Sequence, residues 1–182
     1  MGILLAFAPF LVFAIVDRFD QPTAGLIAGA VVSAALILRD FLTPGRAAKI
    51  LEIGTFILFS GLSLYALFGS TNWSVIGVRL CVDSGLLLIV LVSMAVGRPF
   101  SLQYAREQVA SELWSSPEFI RTNYVITAAW AVAFLLMVLA ELALLYFPGM
   151  PHRLGIIVII IALVGAVKFT GWYPNRARRP AA

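Results

Sequence analysis

Six long apolar runs, at about residues 2–16, 23–38, 50–68, 75–96, 124–147 and 154–173, take up most of this 182-residue chain. A helix needs about 20 residues to cross the ~30 Å hydrocarbon layer of a bilayer. The third to sixth runs meet that length. The first, which contains Pro9, and the second are shorter; snorkelling stems and interfacial aromatic rings can complete a short span. None of the runs alternates with a period of two, and they are too long for barrel strands, so a membrane β-barrel is excluded. Helices then remain as the way to satisfy backbone groups in lipid. Composition agrees: 62% of residues are hydrophobic and 12% charged, against about 45–50% and about 25% in a soluble domain.

The basic residues fall in alternate gaps. Arg39, Arg46 and Lys49 follow the second run, Arg98, Arg106 and Arg121 the fourth, and Lys168, Arg176, Arg178 and Arg179 close the sixth. The other gaps hold Arg18 and Arg153, and Arg79 lies just inside the fourth run. With six spans, the basic gaps share one side with both termini, which the positive-inside rule puts in the cytoplasm. Residues 2–16 lack a positively charged lead and a small-x-small cleavage site before Asp17-Arg18-Phe19-Asp20, so they read as a first span and not as a removed leader. The net charge of +4 is read as topology anchoring and contact with anionic headgroups, not as nucleic-acid binding.

The expected architecture is an all-α integral membrane protein. Six transmembrane helices form three antiparallel hairpins within a single domain, 1–182. Asp20-Gln21-Pro22-Thr23 and Gly69-Ser70-Thr71-Asn72 supply tight turns, and short connections make consecutive spans neighbours. Gly25, Gly29 and Ser33 repeat at four-residue spacing in the second span. Small residues on one stripe let helix backbones approach closely. The fourth gap is longer. Leu102, Ala105, Val109 and Leu113 recur at helical spacing, which predicts a cytoplasmic interfacial amphipathic helix over about 100–114, anchored by Trp114. Ser115 and Glu118 then form a capping box around Pro117, opening a helix that runs through Arg121 into the fifth span.

Charges inside spans are costly, at least ~2.5 kcal/mol each near the centre, and are functional candidates for that reason. Glu52, three residues after Lys49, reads as a local interfacial pair, and Lys168 can snorkel. Arg79, Asp83 and Glu141 form a candidate intramembrane cluster. Arg79 and Asp83 share a helix face. At 1.5 Å per residue they lie about 6 and about 12 Å from the outer end of their span, and Glu141 about 9 Å deep from the same side. One reading is a proton or cation relay, or a headgroup site. The other is a salt bridge that fixes how the fourth and fifth spans pack.

Other chemistry finds little footing. Cys81 is the sole cysteine and His152 the sole histidine, so one chain offers neither a disulfide nor a Cys/His metal site nor a pair of axial haem ligands. Ser84 follows Asp83, but no histidine lies near it and no nucleophile elbow surrounds it. Neither a phosphate-binding loop nor a dinucleotide fingerprint is present. No catalytic residue and no cofactor is therefore expected.

Four segments carry a family likeness: Phe7-Ala8-Pro9-Phe10-Leu11-Val12-Phe13, Phe59-Ser60-Gly61-Leu62-Ser63-Leu64 with Trp73 after it, Arg98-Pro99-Phe100, and Trp114 with Phe119-Ile120-Arg121-Thr122-Asn123 leading to Ala129-Trp130-Ala131-Val132-Ala133-Phe134. In this order the chain resembles the bacterial intracellular septation protein A family. The stretch Arg98 to Arg106 departs toward an uncharacterised relative. The resemblance implies a multi-pass protein of the bacterial inner membrane, linked to envelope synthesis and septation without enzymatic activity. It also implies the lipid bilayer and membrane proteins of division or cell-wall synthesis as partners. The alternative is a small transporter or channel built on Arg79, Asp83 and Glu141, working as a homo-oligomer because six short spans enclose little volume.

Overall fold

The computed structural model describes residues 2–19, 21–44, 46–69, 74–147 and 149–177. Asp20, the turn residues Ser70, Thr71 and Asn72, Trp73, Pro148, Arg178 and Arg179 lie outside them. The described secondary structure is entirely helical: α1 (Gly2–Leu5), α2 (Ala8–Asp17), α3 (Pro22–Leu42), α4 (Ile50–Phe68), α5 (Val75–Ala95), α6 (Phe100–Arg106), a 3-10 turn at Ser111–Leu113, α7 (Pro117–Tyr146) and α8 (His152–Ala177). Five of these, α3, α4, α5, α7 and α8, are long and apolar enough to cross a membrane.

The first apolar run differs from the others. It is divided between α1 and the ten-residue α2. Pro9 has no N–H to give to the carbonyl of Leu5, and its ring crowds that carbonyl. The backbone tightens there instead, with Phe7 N bonded to Leu4 O at 3.2 Å and Phe10 N to Phe7 O at 3.1 Å. Ten helical residues rise about 15 Å, half of the hydrocarbon thickness.

The chain divides into two compact units, residues 1–89 and 90–182. In the first, α3 packs along both α2 and α4. Its core joins Phe13, Leu26, Phe59, Val78 and Val82. The Phe59 ring lies 5.1 Å from Phe10 and 5.7 Å from Phe13, tilted against both. This approach depends on absent side chains. A Cβ on Gly29 would come within 2.7 Å of the Phe59 ring, and one on Gly25 within 3.1 Å of the Phe13 ring. Ser33, next on the stripe, turns its hydroxyl back to Gly29 O at 2.8 Å. α4 and α5 use the same device, with Gly54 against Ile89 and Gly85 against Leu58.

The second unit is held by aromatic rings and neutral hydrogen bonds. α5 ends in a Schellman motif: Arg98 N donates to Ser93 O at 2.9 Å and Gly97 N to Met94 O at 3.0 Å, with Gly97 at φ +72°. The chain then turns into α6, whose Phe100 amide donates to Ser93 Oγ. Phe100 meets Trp130 edge-on at 6.4 Å, and Trp130 packs on Phe134 at 5.5 Å. The Trp130 indole donates to Thr170 Oγ1 at 2.9 Å, tying α7 to α8.

Two boundaries move from the sequence expectation. The interfacial helix stops at Arg106 instead of reaching Trp114, and it buries Phe100, Ser101, Leu102 and Tyr104. Of the apolar stripe only Leu102 is deeply buried; Leu113 is half exposed. Tertiary anchoring overrides the periodicity: Ser101 Oγ donates to Asn123 O at 2.8 Å and bonds Thr127 Oγ1 at 2.9 Å, so α6 is fixed to α7 by its start. The cap of α7 is Ser116, one residue later than the Ser115–Glu118 box. Its hydroxyl accepts from Phe119 N at 3.2 Å. Pro117 suits the first helical position, which makes the residue before it the cap.

Candidate functional site

Charged side chains inside the first unit gather at two places. One lies where α3 ends and α4 begins. Asp40, near the last turn of α3, is wholly buried. Its Oδ1 accepts from Arg39 Nε at 2.9 Å and from Arg39 Nη2 at 2.7 Å. Its Oδ2 accepts from Lys49 Nζ, which the connection brings back from just before α4. Lys49 is itself buried and lies 3.6 Å from Glu52 Oε1, on the first turn of α4. Arg39 Nη2 is 3.8 Å from the same Glu52 oxygen, and Arg46 Nη1 is 3.7 Å from Asp40 Oδ1. Three cations and two carboxylates thus join the two helices. An ion taken out of water costs several kcal/mol and is tolerated only when partners and hydrogen bonds replace the water. Here Arg39 and Lys49 replace the water around Asp40.

Glu52 and Lys49 are near each other, as their spacing suggests. Asp40 escaped sequence reasoning, since beside Arg39 it looks like an ordinary boundary residue. A signal was available: continuing the stripe Gly25, Gly29, Ser33 by seven residues lands on Asp40, and all four are buried on one face of α3.

The second place lies at the end of α2. Arg79 Nε donates to Asp17 Oδ2 at 2.6 Å. Asp17 is buried, while about a third of the Arg79 side chain is exposed. Asp17 Oδ1 accepts no hydrogen bond among the described residues. Depth along the spans places Arg79 with Asp83 and Glu141; Asp17, at the polar limit of the first run, is the carboxylate that the geometry adds. Asp83 lies one turn beyond Arg79 on α5 and is buried. Glu141, on α7, is buried within the second unit. Gly25, Gly29 and Ser33 are likewise buried, Gly25 against α2 and Gly29 against α4.

Both places can hold charge in a low-dielectric setting and join helices. Cys81 is a half-buried free thiol on α5. No family model, no curated protein and no solved structure matches this chain.

Proposed function

We propose that this chain is a non-enzymatic, multi-pass protein of the bacterial inner membrane that serves the cell envelope by packing its helices against membrane partners. The five span-length helices support the membrane reading. In the full proposal α1 and α2 add a sixth, short span, both termini face the cytoplasm, and the spans pair as three hairpins. The observation that carries the non-enzymatic part is the way buried charge is used: Lys49 and Arg79 each pair with a carboxylate from another helix. Ion pairs of that kind fix how helices pack, which supports a scaffold reading. α8 offers the partner surface, since it is the least buried of the five span-length helices. Ile156, Ile157, Ile160, Ile161 and Val164 project from it. The link to septation rests on the resemblance to the intracellular septation protein A family.

A second reading, an oligomeric transporter or channel, is favoured by Asp83 and Glu141, two buried carboxylates on span-length helices. Proton and cation flux in proteoliposomes separates the two. The scaffold reading expects no flux from the wild type, and photo-cross-linking from Ile160 to division or wall-synthesis proteins in native membranes. Flux that disappears in folded Asp83→Asn and Glu141→Gln variants would overturn it in favour of transport.

A further inference from the structure

The ionic cluster at the end of α3 is not electrically balanced. Arg39, Arg46 and Lys49 face Asp40 and Glu52, a formal surplus of one positive charge. The surplus is on the outside: Lys49 is buried, whereas the side chains of Arg39 and Arg46 are 35% and 40% exposed. Arg46 is the less engaged of the two. Its closest approach to Asp40, 3.7 Å, is too long for a hydrogen bond, and its side chain donates none among the described residues. Both guanidinium groups nevertheless converge on a single oxygen, Asp40 Oδ1. A buried carboxylate thus draws two forks together while more than a third of each side chain stays exposed. Hydrogen bonds to two oxygens of one phosphate span roughly 8 Å in all, enough to bridge two nitrogens that approach the same atom so closely. Forked, permanently charged donors suit phosphate better than a point charge does.

The setting selects the source of that phosphate. Leu38, Phe41 and Leu42, on the same last turns of α3, are 58%, 73% and 73% exposed. Large apolar side chains open to the surroundings beside an arginine pair, at the end of a span-length helix, match the boundary between acyl chains and headgroups. We infer that Arg39 and Arg46 form a binding site for the phosphate of an anionic lipid headgroup, with Leu38, Phe41 and Leu42 against its acyl chains. The inference rests on the membrane reading above but not on the scaffold or transport alternatives.

The test uses the full chain in nanodiscs of phosphatidylcholine with graded phosphatidylglycerol, with retained lipid read by native mass spectrometry. The wild type is expected to retain phosphatidylglycerol over phosphatidylcholine. Arg46→Gln should weaken that retention about fivefold, the effect of one juxtamembrane charge, while Arg153→Gln leaves it unchanged. Arg46→Lys keeps the charge and loses the fork; an intermediate loss of about twofold is expected, and this variant stands in if Arg46→Gln unfolds. Retention equal in wild type and both Arg46 variants overturns the site. Displacement of the lipid by millimolar inorganic phosphate would instead mark a soluble-phosphate site and overturn the lipid assignment. Failure of the chain to enter nanodiscs would overturn the membrane reading along with it.

Discussion

The two units solve the same problem with different chemistry. In the first, α2, α3, α4 and α5 are joined by ion pairs and by glycines that bring backbones together. In the second, α6, α7 and α8 are joined by hydroxyl, amide and indole hydrogen bonds around aromatic rings packed edge-on and tilted. Neutral groups and ions differ in what their loss leaves behind. A neutral hydrogen bond between membrane helices is worth about 0.6 kcal/mol on average and ~1.7 at most, because the unpacked helix finds other partners. An ion stranded in a low-dielectric core costs several times that. The first unit should therefore be brittle at single positions and the second tolerant.

The largest expected effect is at Asp40. Asp40→Ala leaves Lys49 buried without its main partner and should destabilise the protein by about 3–5 kcal/mol, read as unfolding in mixed micelles. Asp40→Leu combined with Lys49→Met and Glu52→Leu, which removes every buried ion of the cluster, should recover most of that loss. A triple variant as unstable as the single would mean that packing, not charge, sets the effect. Next comes Gly29→Val, whose side chain must displace the Phe59 ring; overpacking of this kind costs about 1–3 kcal/mol, and Phe59→Leu in the same chain should relieve part of it. Ser101→Ala, which removes the hydroxyl shared by Asn123 and Thr127, should cost up to about 1.7 kcal/mol. Thr170→Val, which takes the acceptor from the Trp130 indole, should cost about 0.6 kcal/mol and red- or blue-shift the tryptophan emission without unfolding. If Thr170→Val proved as damaging as Asp40→Ala, the contrast between the units would fail.

What could be read in advance follows the same division. Helices reveal themselves through apolar length, and α3, α4, α5, α7 and α8 all lie on predicted runs. The small-residue stripe of α3 was visible as spacing. Pairings distant in sequence are less legible than Glu52 with Lys49, because a sequence gives a residue's depth but not its neighbour. Arg79 shares a depth with Asp83 and Glu141, and the geometry adds a partner, Asp17 at the end of α2, to which depth on the fourth and fifth spans does not point. Asp40 was hidden by its adjacency to Arg39, and its partner Lys49 arrives by way of a turn. In the second unit Ser101 and Thr127 carried no signal, since isolated hydroxyls in an apolar sequence look the same whether they bond a neighbouring helix or their own carbonyl. The amphipathic pattern after Arg98 misled for a related reason: periodicity reports a face but not whether protein or lipid covers it.

The length of α7 has a mechanical consequence. Its 30 residues, Pro117–Tyr146, rise about 45 Å, some 15 Å more than the hydrocarbon layer. After Pro117 the helix contains neither proline nor glycine, so it has no built-in place to bend. The excess is accommodated by tilt or by projection of its polar first turns, Glu118 and Arg121 among them. A rod of this length turns a 10° change of tilt into a displacement of about 8 Å between its ends. The segment that carries Trp114 is joined to one end of that rod, so a change in its tilt moves that segment.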